Sequence, residues 1–475
     1  MRKIKSQTKI IATVGPACSS KDTLFQMIEE GVDVFRLNFS HSDKSEHQKV
    51  IDRINEINNE HNLNIAILAD LQGPKIRIGE VENNSILLTD GDTINFVNEK
   101  CIGTKDSLYM SYTNFAKDVK AGEIILIDDG KIQLEVLETN NENKVCAKVI
   151  HGGTLSSRKG VNLPNTKVSL PSLTEEDIEN ALFAIENNVD WIALSFVRKA
   201  EDVMMLKELI QNKNGHASVI AKIEKPEALD DLDNIIDAAD AVMVARGDLG
   251  VEISFERVPL IQKDIVNKCV NKSKPVIIAT QMMESMITNF CPTRAEANDV
   301  ANAVLDGADA LMLSGETSVG KFPVETIRNM QHIIDWTENN GFPYNKEHIP
   351  EENTNRFVAE TTCYHACKMA SFAKANAIIT FTNSGFSAFK ISSYRPEADI
   401  FAFTNNKTLL RKMALVWGVR AFCCHDFTVM VEAINYSKQM LSETGLINPG
   451  DIIINVGSSP LHEKGATNMI KLGIV

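Results

Sequence analysis

Two short segments of the chain carry the residue types that metal-assisted chemistry needs. In IAKIEKP, Lys222 and Glu224 are two residues apart, so on a strand they share one face. In MVARGDLG, Gly247 and Asp248 follow the next apolar run, where the free backbone N–H groups of a helical turn suit an anion. Glu224 and Asp248 predict a Mg²⁺ site completed by substrate oxygens and water, with Lys222 neutralising charge on an oxygen. A structural ion pair between Lys222 and Glu224 is the alternative.

Polar residues also follow other apolar runs. RLNFS places Arg36, Asn38 and Ser40 on one strand face, and Arg36 suits a phosphate. A salt bridge to Asp70 is the alternative role for Arg36. Thr280 ends another run with a hydroxyl, although such a residue is usually just a packed β-branched side chain. Taken together, these groups predict phosphoryl transfer or enolate chemistry on an anionic substrate.

Eight near-continuous apolar runs carry these polar residues at their carboxyl ends. Helical patterns lie between most of the runs, and apolar runs of this kind are typical of parallel strands that are buried on both faces. The runs cover 9–15, 33–39, 64–70, 191–197, 218–224, 241–247, 274–281 and 310–316. They predict a (β/α)₈ TIM barrel, in which active sites lie at the carboxyl ends of the strands. An open doubly wound sheet has a compatible strand count and is the alternative.

Two other segments differ in texture from the barrel pattern. After the third run, hydrophobic alternation around DG and NNEN turns predicts an all-β lid. A polar, turn-rich segment at 341–355 marks a boundary, beyond which strand and helix patterns alternate again. The sequence therefore predicts a barrel domain at 1–70 and 168–340, the lid at 71–167 and a C-terminal α/β domain at 341–475.

The composition of the chain indicates which binding partners, metal sites and cellular locations are favoured. The 475 residues carry a formal charge of −14, which argues against nonspecific binding to nucleic acid or to acidic membranes. The nine Cys residues form no C-x-x-C pair, so buried small hydrophobes are favoured over a zinc site. The first fifteen residues resemble neither a signal peptide nor a membrane span. These features predict a cytoplasmic protein.

Several segments together resemble one family. They include RLNFSH, DLQGPKIR, KIEKPEAL, MVARGDLGVE, ATQMMESM and PTRAEANDVANAVLDGADALMLSGET, and the chain is similar to pyruvate kinases essentially from end to end. The resemblance implies a barrel with a β lid after its third strand and a C-terminal regulatory domain. It also implies the last step of glycolysis, in which phosphoenolpyruvate and ADP give pyruvate and ATP with Mg²⁺ or Mn²⁺.

The resemblance also assigns roles to residues. Glu224 and Asp248 match the metal ligands of the family. The positions that match its phosphoenolpyruvate site are Arg36, Lys222, Gly247, Asp248 and Thr280, and of these Lys222, Thr280 and Arg36 are implied to be catalytic. The positions that match its nucleotide contacts are Asn38, His41, Arg77 and Lys159.

Two other functions are alternatives. A metal-dependent aldolase or lyase would use a similar barrel, but the lid and the nucleotide-side residues Arg77 and Lys159 argue against it. A metabolite sensor without catalysis would not need Lys222, Glu224, Asp248 and Thr280 together. We therefore expect phosphoryl transfer.

The family suggests a homotetramer with a phosphate-effector loop in the C-terminal domain. The matching segment is TNSGFS, in which Thr382, Ser384, Gly385 and Ser387 can cradle a phosphate at a helix N-terminus. Asn383 and Phe386 stand where basic residues are expected, so an ordinary capped helix start is the alternative. A second departure is Ser169, after the lid, where many relatives have an acidic residue.

The segment ADLQGPKIRIG departs from K⁺-requiring pyruvate kinases in a correlated way. In those enzymes the ion is held at positions matching Asn38, Ser40, Asp70 and the backbone carbonyl of Leu71. They typically have Thr-Lys after the Asp and Glu in place of Lys75, whereas this chain has Leu-Gln and Lys. We expect the Gly73-Pro74 turn to bring Lys75 beside Asp70, so that its ammonium replaces K⁺. A solvated lid-hinge lysine is the alternative.

Overall fold

The structure is a computed structural model that describes residues 6–341, 343–350, 354–459 and 467–475. Residues 1–5 of the predicted barrel domain and parts of the predicted boundary at 341–355 lie outside the described residues. Among the residues that are described, no helix is both long enough and apolar enough to cross a membrane.

The chain begins with three strands and two helices of the barrel. In order they are β1 (Lys9–Thr13), α1 (Lys21–Glu30), β2 (Val32–Asn38), α2 (Lys44–His61) and β3 (Ala66–Asp70). Both helices have side-chain N-caps: Ser20 accepts from the Thr23 N–H, and Asp43 accepts from the N–H groups that follow it. These caps fix where each helix leaves the carboxyl end of the preceding strand.

The lid follows β3 as a separate β domain with its own core. Its elements are β4 (Ser85–Leu88), β5 (Thr93–Val97), β6 (Ser107–Tyr109), α3 (Phe115–Asp118), β7 (Ile124–Ile127), β8 (Ile132–Thr139), β9 (Lys144–His151), β10 (Gly153–Ser156) and β11 (Val161–Asn162), with a 3₁₀ turn at Glu82–Asn84. Six strands pair in the order β11-β7-β8-β9-β5-β6, and β10 pairs with β4. Alternate residues of β8 and β9 are buried, as the sequence alternation predicts.

The chain then returns to the barrel and completes it. The elements are α4 (Glu175–Glu186), β12 (Trp191–Leu194), α5 (Ala200–Asn212), β13 (Ser218–Ile223), α6 (Pro226–Asp230), α7 (Leu232–Ala238), β14 (Ala241–Ala245), α8 (Arg246–Glu252), α9 (Val258–Asn271), β15 (Val276–Ala279), α10 (Arg294–Asp306), β16 (Ala310–Leu313), α11 (Gly315–Ser318) and α12 (Pro323–Gly341). Short 3₁₀ turns cover Phe255–Arg257 and Glu284–Ile287.

Eight parallel strands close the barrel in the order β1-β16-β15-β14-β13-β12-β3-β2. All eight predicted strands are confirmed, and the doubly wound alternative is wrong because β1 pairs with both β2 and β16. The strands end one to three residues before the polar residues that the apolar runs seemed to include. Glu224 and Thr280 therefore lie directly after the ends of β13 and β15, and Asp248 lies in α8, three residues after the end of β14.

The C-terminal domain is an α/β sheet, as predicted. Its elements are α13 (Phe357–Ala373), β17 (Ala377–Phe381), α14 (Phe386–Ser393), β18 (Asp399–Thr404), α15 (Lys407–Lys412), a 3₁₀ turn (Met413–Leu415), β19 (Val419–Cys423), α16 (Met430–Glu443), β20 (Ile452–Ser458) and β21 (Thr467–Ile474). The strand order is β19-β18-β17-β20-β21, with β21 antiparallel. Leu415 of this domain packs into the apolar interior of the barrel, so the two domains share a core.

Candidate active site

Lys222 lies at the centre of a buried charge cluster at the barrel mouth. Its Nζ is 2.9 Å from Glu224 Oε1 and 3.2 Å from Asp70 Oδ1, and it donates a hydrogen bond to Ser195 Oγ at 2.7 Å. Burial alone would lower the pKa of Lys222, but the carboxylates of Asp70 and Glu224 outweigh it and raise the pKa. The ammonium is therefore held charged, in a fixed position, at the ends of the strands.

Arg36 extends the cluster across β2 and β3. Its Nε and Nη2 are each 2.7 Å from Asp70 Oδ2, and its Nη1 donates to Thr13 Oγ1 at 2.9 Å. Burial raises the pKa of Asp70, but Lys222 and Arg36 together lower it below its ordinary value. The salt bridge that the sequence left as an alternative for Arg36 is present. Because Asp70 also pairs with Lys222, this salt bridge holds the guanidinium at the mouth of the barrel, close to the Lys222 ammonium.

Glu224 and Asp248 place two carboxylates just beyond the adjacent strands β13 and β14, with Asp248 in the first turn of α8. Glu224 is buried, and its Oε2 accepts a hydrogen bond from the Phe196 N–H at 2.9 Å. Burial and the nearby charge of Asp248 raise the pKa of Glu224 against the opposing effect of Lys222. Within the described part of the chain, no group of three or more His, Cys, Asp or Glu side chains could hold a metal. Two mutually repelling carboxylates fit a Mg²⁺ ion that takes its other ligands from substrate and water.

Thr280 and Gly247 meet directly. The Gly247 N–H donates to Thr280 Oγ1 at 2.7 Å, and this hydroxyl donates to the Ala279 carbonyl at 2.6 Å. Thr280 has φ +70, a conformation that β-branched residues rarely adopt and that clusters at functional sites. The strained backbone turns the hydroxyl toward the loop that carries Asp248.

The predicted nucleotide-side residues lie on both sides of the mouth. Burial lowers the pKa of His41, and so do the charges of Lys75, Arg77 and Arg36, each of which lies near the imidazole. Arg77 Nη1 donates to the Arg158 carbonyl at 3.2 Å, joining two lid segments.

Lys159 and Asn38 are held within their own domains. The Lys159 Nζ is 2.8 Å from Asp128 Oδ1, so both groups belong to the lid. In the barrel, Asn38 pairs in register with Asp70, and its Oδ1 accepts from the Ser40 N–H at 3.1 Å.

The expected contact between Lys75 and Asp70 is wrong for this structure. Lys75 is exposed, and among the described residues it forms no ion pair. The ion pairs of Asp70 are with Arg36, through Oδ2, and with Lys222, through Oδ1. Lys75 instead lines the cleft between lid and barrel that also includes Asp248. The Leu71 carbonyl, expected at the monovalent-cation position, accepts from Ser195 Oγ at 2.7 Å.

Comparison with known proteins identifies the family. The family model for the pyruvate kinase barrel domain matches residues 5–327, and the model for its alpha/beta domain matches residues 360–472. The chain belongs to the pyruvate kinase family. It is thus a phosphotransferase enzyme, and this family generally uses Mg²⁺.

Individual pyruvate kinases resemble the chain over nearly its whole length. The Corynebacterium glutamicum protein is 42% identical over 469 residues, covering 99% of this chain and 98% of that one. The Bacillus licheniformis protein is 42% identical over 474 residues, covering 99% and 80%. A solved Cryptosporidium parvum pyruvate kinase superposes with a TM-score of 0.91 at 34% identity, covering 99% and 96%.

Ser169, the departure from many pyruvate kinases after the lid, lies beside a lid carboxylate. Its N–H donates to Asp118 Oδ2 at 2.9 Å, and its Oγ is 2.9 Å from the Tyr112 hydroxyl. Tyr112 and Asp118 also contact each other. An acidic group is therefore present next to this position although the residue itself is neutral.

The segment that matches the pyruvate kinase effector loop connects β17 to α14 and borders a cavity of about 550 Å³. Thr382 Oγ1 accepts from the Gly385 N–H at 2.9 Å, and Ser387 Oγ is 2.8 Å from Thr380 Oγ1. Ser384 and Asn383 are exposed. The hydroxyls of Thr382 and Ser387 thus contact the protein itself, although the N-cap of α14 is Gly385 and no side chain caps the helix, and the loop forms one wall of the cavity.

Two residues at the mouth were not among the predicted site residues. Ser195 bridges the Lys222 ammonium to the Leu71 carbonyl, and Thr13 accepts from Arg36. The available signal for Ser195 is its position as a polar residue directly after the apolar strand β12. Thr13 lies inside an apolar run, and its role comes from Arg36, its register partner on the adjacent strand β2.

Proposed function

We propose that this chain transfers the phosphoryl group of phosphoenolpyruvate to ADP, giving pyruvate and ATP. The observation that carries the proposal is the ammonium of Lys222, buried at the strand ends between the carboxylates of Asp70 and Glu224. Electrostatic groups fixed in this way stabilise charge without reorganising during the reaction. Membership of the pyruvate kinase family supports the same reaction.

The chain's own residues divide the work between the phosphate and the enolate. Arg36 binds the phosphate of phosphoenolpyruvate, and the backbone at Gly247 and Asp248 orients the substrate. Lys222 neutralises the charge that develops on the enolate oxygen as the phosphoryl group leaves. Thr280 Oγ1 passes a proton, through water, to the enolate carbon. On the other side of the transferring group, Arg77, His41, Asn38 and Lys159 contact the nucleotide.

Glu224 and Asp248 would hold Mg²⁺, or Mn²⁺ in its place. The ion supplies positive charge that offsets the phosphoryl oxygens. Burial and, to a smaller extent, the charge of Asp248 raise the pKa of Glu224, and a bound cation would offset both, which supports this assignment.

We further propose that the reaction needs no added K⁺, because Lys75 supplies the monovalent charge. Lys75 lines the cleft with Asp248, and its charge lowers the pKa of His41, so it lies near the nucleotide-side residues. At an effective dielectric of ~20, a unit charge about 5 Å from a phosphate oxygen contributes roughly 3 kcal/mol. Losing an interaction energy of this size would slow the reaction substantially, so the site needs a monovalent positive charge.

One assay tests the reaction and the ion requirement separately. Pyruvate formation is coupled to lactate dehydrogenase, with ADP and Mg²⁺, in buffer free of K⁺ and NH₄⁺. We expect full activity there and less than a twofold gain from KCl at constant ionic strength. A many-fold gain would overturn the proposed role of Lys75 but would leave the kinase reaction in place. If no pyruvate forms with or without KCl, the proposed kinase reaction is wrong. If pyruvate forms without ADP, the kinase reaction is also wrong, and a lyase is favoured.

We also propose that a phosphorylated sugar or nucleotide binds the cavity beside Thr382, Asn383, Ser384, Gly385 and Ser387. The volume of the cavity and the wall formed by the loop support this. Sugar phosphates and AMP are titrated into the assay at subsaturating phosphoenolpyruvate. A shift in its saturation curve is expected with at least one of them, and an unmoved curve would leave the loop as a helix cap.

The proposed assembly is a homotetramer. Apolar side chains that are more than half exposed include Phe255, Leu260 and Phe290 in the barrel domain and Val358 and Phe372 in the C-terminal domain. Two self-complementary faces build a dihedral tetramer. Light scattering after size-exclusion chromatography checks this, and a monomer mass would contradict it.

A further inference from the structure

A side-chain bridge joins the lid to the barrel beside the metal-side carboxylates. Asn162 Nδ2, in lid strand β11, is 2.9 Å from Glu252 Oε1, at the end of α8. The same oxygen lies 2.7 Å from the Nζ of Lys225. Glu252 is 4% exposed, so the bridge is formed largely out of water, where such charge-assisted hydrogen bonds are strong.

Each partner is closely connected to a residue of the proposed site. Asn162 lies three residues after Lys159, and β11 is fixed in the lid sheet by its pairing with β7. Glu252 lies one helical turn after Asp248 in α8, so the two share a helix face. The bridge therefore sets the distance between a lid residue on the nucleotide side and a barrel residue on the metal side.

The arrangement of Glu252 is costly if its role is only structural. Its second oxygen, Oε2, is buried and has no hydrogen-bond partner among the described residues. A buried carboxylate with an unsatisfied oxygen is destabilising, and an apolar pair would often pack at least as well. A role in positioning the lid would explain why a carboxylate stands at this junction despite that cost.

We propose that Glu252 is a positioning residue that holds lid strand β11 against α8 through Asn162. This rests on the proposed kinase reaction and adds to it a control on the nucleotide side of the site. Holding β11 fixes Gly160, which lines the cleft, and with it the adjacent Lys159, so binding of the nucleoside diphosphate depends on the bridge. Binding of phosphoenolpyruvate depends on Arg36 and Lys222, which belong to the barrel and do not depend on the lid.

The test compares Asn162→Ala, Glu252→Ala and Glu252→Gln in the full-length protein. Asn162→Ala and Glu252→Ala should raise KM for ADP about tenfold, the usual order for losing one charge-assisted hydrogen bond, with KM for phosphoenolpyruvate changed less than twofold. Glu252→Gln keeps an acceptor for Asn162 and should remain within about threefold of the wild type. Asn165→Ala, also in the lid but bonded to lid backbone, is the matched control.

A second measurement does not depend on activity. Hydrogen–deuterium exchange of the amides in 159–163 should speed up in Asn162→Ala and Glu252→Ala but not in Asn165→Ala. Unchanged exchange together with an unchanged KM for ADP would overturn the bridge. A Glu252→Gln variant that is as impaired as Glu252→Ala would also overturn the proposal, because Glu252 would then act only by balancing the charge of Lys225. If the wild type makes no pyruvate, the reaction fails, and exchange alone decides on the bridge.

Discussion

The barrel mouth and the cavity of the C-terminal domain are both proposed to bind phosphorylated ligands, yet they are built differently. At the mouth, Arg36, Asp70, Lys222 and Glu224 are all less than 10% exposed and neutralise one another. Of the described residues that line the cavity, Arg356 is the one Lys or Arg, and its Cζ lies 4.6 Å from the Phe386 ring centroid. Charge is prearranged at the first site and scarce at the second.

The difference corresponds to two demands on a site. Charges that develop during a reaction are best met by groups already fixed in a low-dielectric environment, which requires buried and mutually paired ions. A regulatory site needs only enough affinity to respond to a changing ligand concentration. Hydroxyls, amides and aromatic faces with one exposed cation can provide that. The comparison predicts that changing a charge at the mouth has a large effect on rate, whereas changing one in the cavity has a small effect on binding.

The largest effect is expected from Lys222→Met. It removes the one ammonium between Asp70 and Glu224, and a preorganised donor of this kind typically contributes about 3 kcal/mol or more, so kcat should fall at least ~10²-fold. The fold should persist, because Asp70 keeps Arg36 and Glu224 can take up a proton. Steady-state kinetics and thermal unfolding are measured together, with Lys199→Met, an exposed lysine after β12, as the control. A kcat within threefold of wild type would contradict the role of Lys222.

Much of this mouth was predictable from sequence, for a physical reason. Strands buried on both faces must be continuously apolar, so the polar residue that ends each run stands out, as Lys222, Glu224 and Asp248 did. The partners across the barrel were less accessible. Asp70 reaches Lys222 although their strands are separated by β12, and only barrel closure brings them together. Within the C-terminal domain, strand patterns predicted the sheet but not the cavity.

The error over Lys75 shows where such reasoning ends. Correlated changes in ADLQGPKIRIG indicated that Lys75 has a role, but not the direction of its side chain. That direction depends on where the lid lies relative to the barrel, and on the ion pairs that Asp70 already makes with Arg36 and Lys222. The sequence of a local turn indicates neither the placement of the lid nor the ion pairs of Asp70.

The next largest effect is expected from Lys75→Glu, which reverses a charge in the cleft rather than in the buried cluster. Without K⁺ the rate should fall roughly tenfold, because solvent screening of the exposed Lys75 reduces the Coulomb energy of about 3 kcal/mol to roughly 1.4 kcal/mol. KCl should restore part of it, because a free cation can now occupy the neighbourhood of the new carboxylate. Initial rates across a KCl series measure this, with Lys148→Glu on the exposed face of β9 as the control. A fall in rate that KCl does not relieve would separate Lys75 from any cation function.

The smallest effect is expected from Asn383→Arg in the effector loop. Asn383 is exposed at the edge of the cavity, so the substitution adds a second cation without burying it or displacing a packed side chain. An exposed charge contact typically contributes about 0.2–1 kcal/mol, so affinity for a sugar bisphosphate should rise only about two- to fivefold. Basal kcat and KM should not move, since the barrel mouth is untouched. Isothermal titration with a sugar bisphosphate and with AMP measures the change, and a gain of a hundredfold or more would mean that the cavity holds charge as tightly as the mouth does. Equal weak binding before and after the substitution would instead show that the phosphate does not approach this loop.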